Sequence, residues 1–162
     1  MKELLDKLSS YNLFNYLLPG TVFVALAERV SAHRFGNDNI VVELFAYYFI
    51  GLVISRLGSL VLEPLLKKTG FVAFAPYKDF VRACAHDPKI ETLSEQNNMF
   101  RTLCALFLAL LALRLFDFIV WYFGISHRVT SPMLLVALLL LFAFAYRKQT
   151  NYVKQRVEVA KS

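Results

Sequence analysis

The feature that most constrains this chain is the length of its charge-free apolar runs. Residues 8–27 and 129–146 contain no Asp, Glu, Lys or Arg. Crossing the roughly 30 Å hydrocarbon core of a bilayer takes about 20 helical residues, so each run suits a membrane span. Two further runs fit with charges inside them: residues 40–62 carry Glu43 and Arg56, and residues 102–123 carry Arg114 and Asp117. With 57% of residues hydrophobic and only 19% charged, the composition departs strongly from that of a soluble domain. The expected fold is an all-α integral membrane protein of one domain, 1–162. It has four transmembrane helices, about 11–30, 40–62, 102–123 and 130–146, with cytoplasmic helical extensions.

Orientation follows from where Lys and Arg gather outside the spans. Lys2 and Lys7, then Lys67, Lys68, Lys78, Arg82, Lys89 and Arg101, then Arg147, Lys148, Lys154, Arg156 and Lys161 fall on one side, against Arg29, Arg34 and Arg128 on the other. Both termini, the helical segment 63–101 and the tail 147–162 are therefore expected in the cytoplasm. A cleaved secretory leader is disfavoured, although residues 13–24 would serve as its apolar core, because Lys2 and Lys7 are balanced by Glu3 and Asp6. Cys84 and Cys104 have no CxxC spacing and read as free, buried thiols.

Pro64, Gly70 and Pro76 interrupt the start of the segment 63–101. Residues 76–85 then form a short amphipathic pattern, with Tyr77, Phe80, Val81 and Cys84 on one face and Lys78, Asp79 and Arg82 off it. Asp87-Pro88 is a helix-start signal, and no breaker follows until Gly124. At 1.5 Å per residue that helix would be about 50 Å long. The tail contains neither Gly nor Pro and is expected to prolong the fourth span into the cytoplasm.

Three groups of residues are candidates for function. Charges within a span are costly unless paired or wetted, so Glu43, Arg114 and Asp117 read either as a gate or pathway lining or as a clamp between spans. Arg114 and Asp117 share a helix face and can recruit Glu43, while Arg56 can snorkel or meet Glu63. Gly51, Ser55 and Ser59 recur every fourth residue, a face that admits close helix packing. The second group is a basic face comprising Lys67, Lys68, Lys78, Arg82, Lys89, Arg101, Arg147 and Lys148, with Asn151 and Tyr152 interleaved. Cations with amides and rings suit a nucleotide or oligonucleotide. The same charges also suit the ordinary positive-inside surplus against anionic lipid.

The third group surrounds a helix break, Pro19-Gly20, inside the first apolar run. Proline removes one backbone hydrogen bond and kinks a helix, and Asn12, Asn15 and Thr21 can supply polar partners. The expectation is a bent or locally unwound first span and a candidate hinge or pore element. Enzymatic signatures are missing: His33, His86 and His127 are isolated, and no HExxH, GxSxG or P-loop occurs. No catalytic residue, metal or cofactor is expected.

The runs LSSYNLFNYLLPGTVF and YYFIGLVISRLGSLVLEPLLKK, followed by YKDFV and LSEQNNMFR, resemble small bacterial membrane proteins. The likeness, over about residues 8–125, is to transmembrane effectors of nucleotide-signalling anti-phage defence, of the Hailong type. It implies a homo-oligomeric ion channel in the bacterial inner membrane, opened or closed by an oligonucleotide from a partner nucleotidyltransferase. The alternative is a non-conducting adaptor that anchors a cytoplasmic partner. Four spans leave little room for a private pore, so conduction would need several copies around an axis.

Overall fold

The computed structural model describes residues 13–31, 34–36 and 39–161, and among them every regular element is helical. Lys2, Lys7, Asn12 and His33 lie outside the described residues. Helix α1 is a π turn, Leu13–Leu17, running into an α-helix, Leu18–Val30. Helix α2 consists of Ile40–Leu57, a second π turn Gly58–Leu62, and Glu63–Lys68. Then come α3, Tyr77–His86, α4, Lys89–Phe123, and α5, His127–Ala160.

Three helices are long and apolar enough to cross a membrane: Ile40–Lys68, Lys89–Phe123 and Arg128–Ala160. Helix α1 is not among them. At 1.5 Å per residue, the 35 residues of α4 reach about 52 Å, well beyond the bilayer core.

Local chemistry sets the helix ends. The Asn39 side chain accepts hydrogen bonds from the Val41 and Val42 amides at 3.0 and 3.4 Å, opening α2. Asp87 accepts the Lys89 amide at 2.9 Å ahead of α4, and Ser126 accepts the Arg128 amide at 3.3 Å at α5. Helices α2 and α4 both close on a glycine with positive φ, Gly70 at 75° and Gly124 at 61°. In each case the next amide reaches five residues back, Phe71 to Leu66 and Ile125 to Val120, and the glycine amide reaches three back. This is the Schellman closure that satisfies the last carbonyls of a helix.

The two π turns share a cause. Each ends two residues before a proline, Leu17 before Pro19 and Leu62 before Pro64. Proline offers no amide to the preceding turn and its ring crowds the carbonyl there, and widening that turn to the π register relieves both problems. The expected irregularity in the first helix is therefore real, but it lies before Pro19-Gly20. Both of these residues sit inside the regular α-helix and are buried.

Helices α1 and α2 pack antiparallel at backbone contact. A Cβ on Gly20 would lie 1.8 Å from the Tyr47 carbonyl oxygen, and one on Gly51 would lie 1.7 Å from that of Tyr16. Both glycines therefore serve close packing of the two helices, Gly20 against α2 and Gly51 against α1. The buried core lies among α1, α2 and α4, built from Ala27, Ile54, Ala105, Leu106 and Leu110. No residue of α5 is buried in its apolar stretch. That helix leans on the others through Phe49–Phe142 and Tyr77–Tyr152 ring contacts, with centroids 5.9 and 5.0 Å apart.

Replacing Gly20 or Gly51 by Ala forces methyl against backbone and is expected to destabilise the α1–α2 pair by about 2 kcal/mol, in the range of overpacking. Gly36→Ala, where an added Cβ meets nothing within 4 Å, serves as the neutral control. Reversible unfolding in mixed micelles measures the difference.

Candidate anion-binding site

Where α2, α4 and α5 meet, one carboxylate gathers three cations. Glu63 is 6% exposed. Its Oε1 accepts from Lys67 Nζ at 3.0 Å and Lys148 Nζ at 3.3 Å, and its Oε2 accepts from Arg101 Nη1 at 2.6 Å. Glu63 and Lys67 are one helical turn apart on α2, whereas Arg101 comes from α4 and Lys148 from α5. Charge-assisted bonds to a buried carboxylate are the strong kind, and here they join three helices at one point. Among these four residues the formal charge is +2, so the carboxylate leaves an excess of positive field.

Lys148 is also held by the backbone, and the π turn explains how. The Glu63 amide bonds the Gly58 carbonyl, five residues back. Pro64 has no amide to offer. The Ser59 carbonyl is thus left open, and Lys148 Nζ donates to it at 2.7 Å and to the Ser59 hydroxyl at 2.8 Å. A helix defect written by one proline thereby becomes the seat of an ammonium from another helix.

Beside this junction lies a small pocket of about 20 Å³, lined by Arg56, Ser59, Leu60, Ala145, Lys148, Gln149 and Tyr152. Its wall carries two cations, an amide, a serine and a phenol, a donor-rich set suited to an anionic oxygen. Arg56 Nη2 donates to the Tyr16 hydroxyl at 3.0 Å, tying α1 to the same region. The expected Arg56–Glu63 contact is therefore replaced, since Glu63 is taken by cations from three helices. Arg101 keeps a buried Nε without a hydrogen-bond partner. One layer below, Thr102 Oγ1 approaches Ser55 Oγ at 3.4 Å and donates to the Asn98 carbonyl at 2.8 Å.

Of the basic face read from the sequence, Lys67, Arg101, Lys148 and Tyr152 converge here. Lys78 instead pairs with Glu158 at 3.7 Å, and Tyr77 of α3 stacks on Tyr152, so α3 is docked against the extension of α5. Lys68, Arg82, Lys89, Arg147 and Asn151 are exposed and line no part of the pocket.

The described candidate pore residues have these surroundings. Asn15 is 5% exposed and its Oδ1 has no hydrogen-bond partner, while Thr21 is exposed and bonds the Leu17 carbonyl of its own helix at 2.9 Å. The Tyr47 hydroxyl donates to Glu43, so Glu43 is engaged within α2 and not by Arg114. Arg114 is exposed on α4 and Asp117 is half-buried.

From the sequence, Glu63 stands only as a partner for Arg56 and Ser59 only as part of a close-packing face, while Gln149 is one of the amides interleaved with the basic residues. The available signal was Glu63-Pro64 at the end of an apolar run: a carboxylate at a span boundary beside a residue that opens a carbonyl. Among the described residues no group of three or more His, Cys, Asp or Glu gathers that could hold a metal. Cys84 and Cys104 are free, but Cys84 is half-buried and Cys104 exposed, so the expected burial of both thiols is corrected. Comparison with family models, curated proteins and solved structures finds no match to this chain.

Glu63→Gln leaves three cations converging on a neutral amide. It is expected to cost about 3 kcal/mol, toward the low end for breaking a buried pair because Lys67 and Lys148 keep contact with solvent. The loss in Glu63→Gln, Lys148→Gln should fall short of the sum of the two single losses, as for residues in one network. Unfolding free energies of the four proteins test both statements.

Proposed function

We propose that this chain is a multi-pass inner-membrane effector whose state is set by a phosphate-type anion at the α2–α5 pocket. The supporting observation is that the α5 wall of the pocket includes Lys148, the same ammonium that holds α5 to Glu63 and to the open Ser59 carbonyl. An anion bound by Arg56, Lys148 and Gln149 competes with Glu63 for that ammonium. Helix α5 has no buried residue in its apolar stretch, so its position is sensitive to this one charge contact. A ligand shifts such an equilibrium only by binding the two positions differently, and the Lys148 contact supplies that difference.

In this reading α1 is the fourth span, the junction of Glu63 with its cations faces the cytoplasm, and both termini lie on that side. The thirteen Lys and Arg there against three on the other side support the orientation. Several copies assemble around an axis, and the movement of α5 opens or closes an ion path between them. The ligand is a nucleotide or oligonucleotide made by a partner enzyme in anti-phage defence, in keeping with the resemblance of the chain. The protein itself performs no catalysis, binds no cofactor, and works in contact with anionic lipid.

Purified protein in liposomes, assayed for ion flux with inorganic phosphate, mononucleotides and short oligonucleotides, tests this. An oligonucleotide-dependent change in flux is expected, and Arg56→Ala or Lys148→Ala should weaken the response roughly tenfold or more, as for loss of a charge-assisted bond. Flux absent under every condition, with a cytoplasmic protein co-purifying, would instead favour the non-conducting anchor.

A further inference from the structure

The segment joining α2 to α3 carries large apolar side chains that no helix of this bundle covers. Phe71 is 79% exposed and Phe74 is 48% exposed, and they follow Lys67 and Lys68 directly. A cytosolic connector ordinarily hides such rings or lacks them.

The backbone keeps these rings beside the end of α2. Gly70 adopts φ 75°, and the Phe71 and Val72 amides both reach the Leu66 carbonyl, at 3.0 and 3.4 Å. Lys67 Nζ, which bonds Glu63, also lies 4.1 Å from the centre of the Phe74 ring. The chain therefore folds against the last turn of α2 and does not run away from it. Phe74 thus lies against the same lysine that bonds Glu63, and Phe71 against the last turn of α2. On α2 itself Val61 and Leu65, one turn apart, are 53% and 55% exposed. Phe71 adds a further exposed apolar side chain past the end of the helix.

We infer that residues 71–74 are an interfacial anchor whose partner is the lipid of the adjacent leaflet. Phe71 and Phe74 insert at the boundary between headgroups and acyl chains, and Lys67 and Lys68 lie beside them for anionic headgroups. Aromatic rings with adjacent cations are the usual occupants of that layer. A membrane-embedded loop fixes the depth of the α2 terminus, and with it the height of Glu63 and its cations relative to the bilayer surface. This assignment stands on the loop alone and does not depend on any ligand or conductance.

The chain has one tryptophan, Trp121, on the far half of α4. In a Trp121→Phe background, Phe71→Trp places a single reporter in the loop, and Phe74→Trp gives a second should the first fail to fold. In vesicles of phosphatidylcholine and phosphatidylglycerol, blue-shifted emission is expected, with quenching by brominated acyl chains and weak quenching by acrylamide. Water-like emission with strong acrylamide quenching at both positions would overturn the assignment. Shielding from both quenchers would overturn it too, because a protein surface would then cover the loop.

Discussion

The structure hangs on a buried carboxylate with more cations than it can neutralise. Glu63 is supplied by α2 but bonded by Arg101 of α4 and Lys148 of α5 as well as by its own neighbour Lys67. Apolar side chains within a bilayer give helices little reason to prefer one another over lipid. Specific polar contacts then decide which helices meet and at what height. A carboxylate shared among three helices does this more strictly than any pair, since moving one helix strands a charge. The remaining excess of positive field lies beside the pocket walled by Arg56 and Lys148.

Backbone irregularities give this arrangement its geometry. Pro19 and Pro64 each follow a π turn, and the chain uses the two differently. The second turn opens the Ser59 carbonyl to the Lys148 ammonium and so fastens α5. After the first turn, Gly20 meets the backbone of α2 directly, with Gly51 making the reciprocal approach. These are opposite solutions to helix pairing. The α1–α2 contact needs the absence of side chains, while the α2–α5 contact needs one long charged side chain and an open carbonyl.

The bundle is accordingly uneven. Helices α1, α2 and α4 share the buried core, whereas α5 is attached by ring contacts, by the Lys78–Glu158 pair and by one lysine that also walls a pocket. An element with few buried contacts is among the less stable parts of a fold.

The sequence by itself determined the helical class, the apolar runs 40–62, 102–123 and 130–146, and the start of α4 at Asp87-Pro88 with its stop at Gly124, whereas α2 runs on through Pro64 to Lys68. These follow from local rules, since apolar length, capping residues such as Asn39 and Asp87, and glycines at 70 and 124 act within a few residues. It also held the members of the charged junction, but scattered among many equivalent cations. Nothing local distinguishes Lys148 from Arg147, or Lys67 from Lys68. Tertiary structure made that choice, because only the rotation of each helix about its axis decides which side chain turns toward Glu63 and which toward solvent. It likewise turned Gly20 from an apparent break into a contact, since a glycine's use is known only once the backbone beside it is in place.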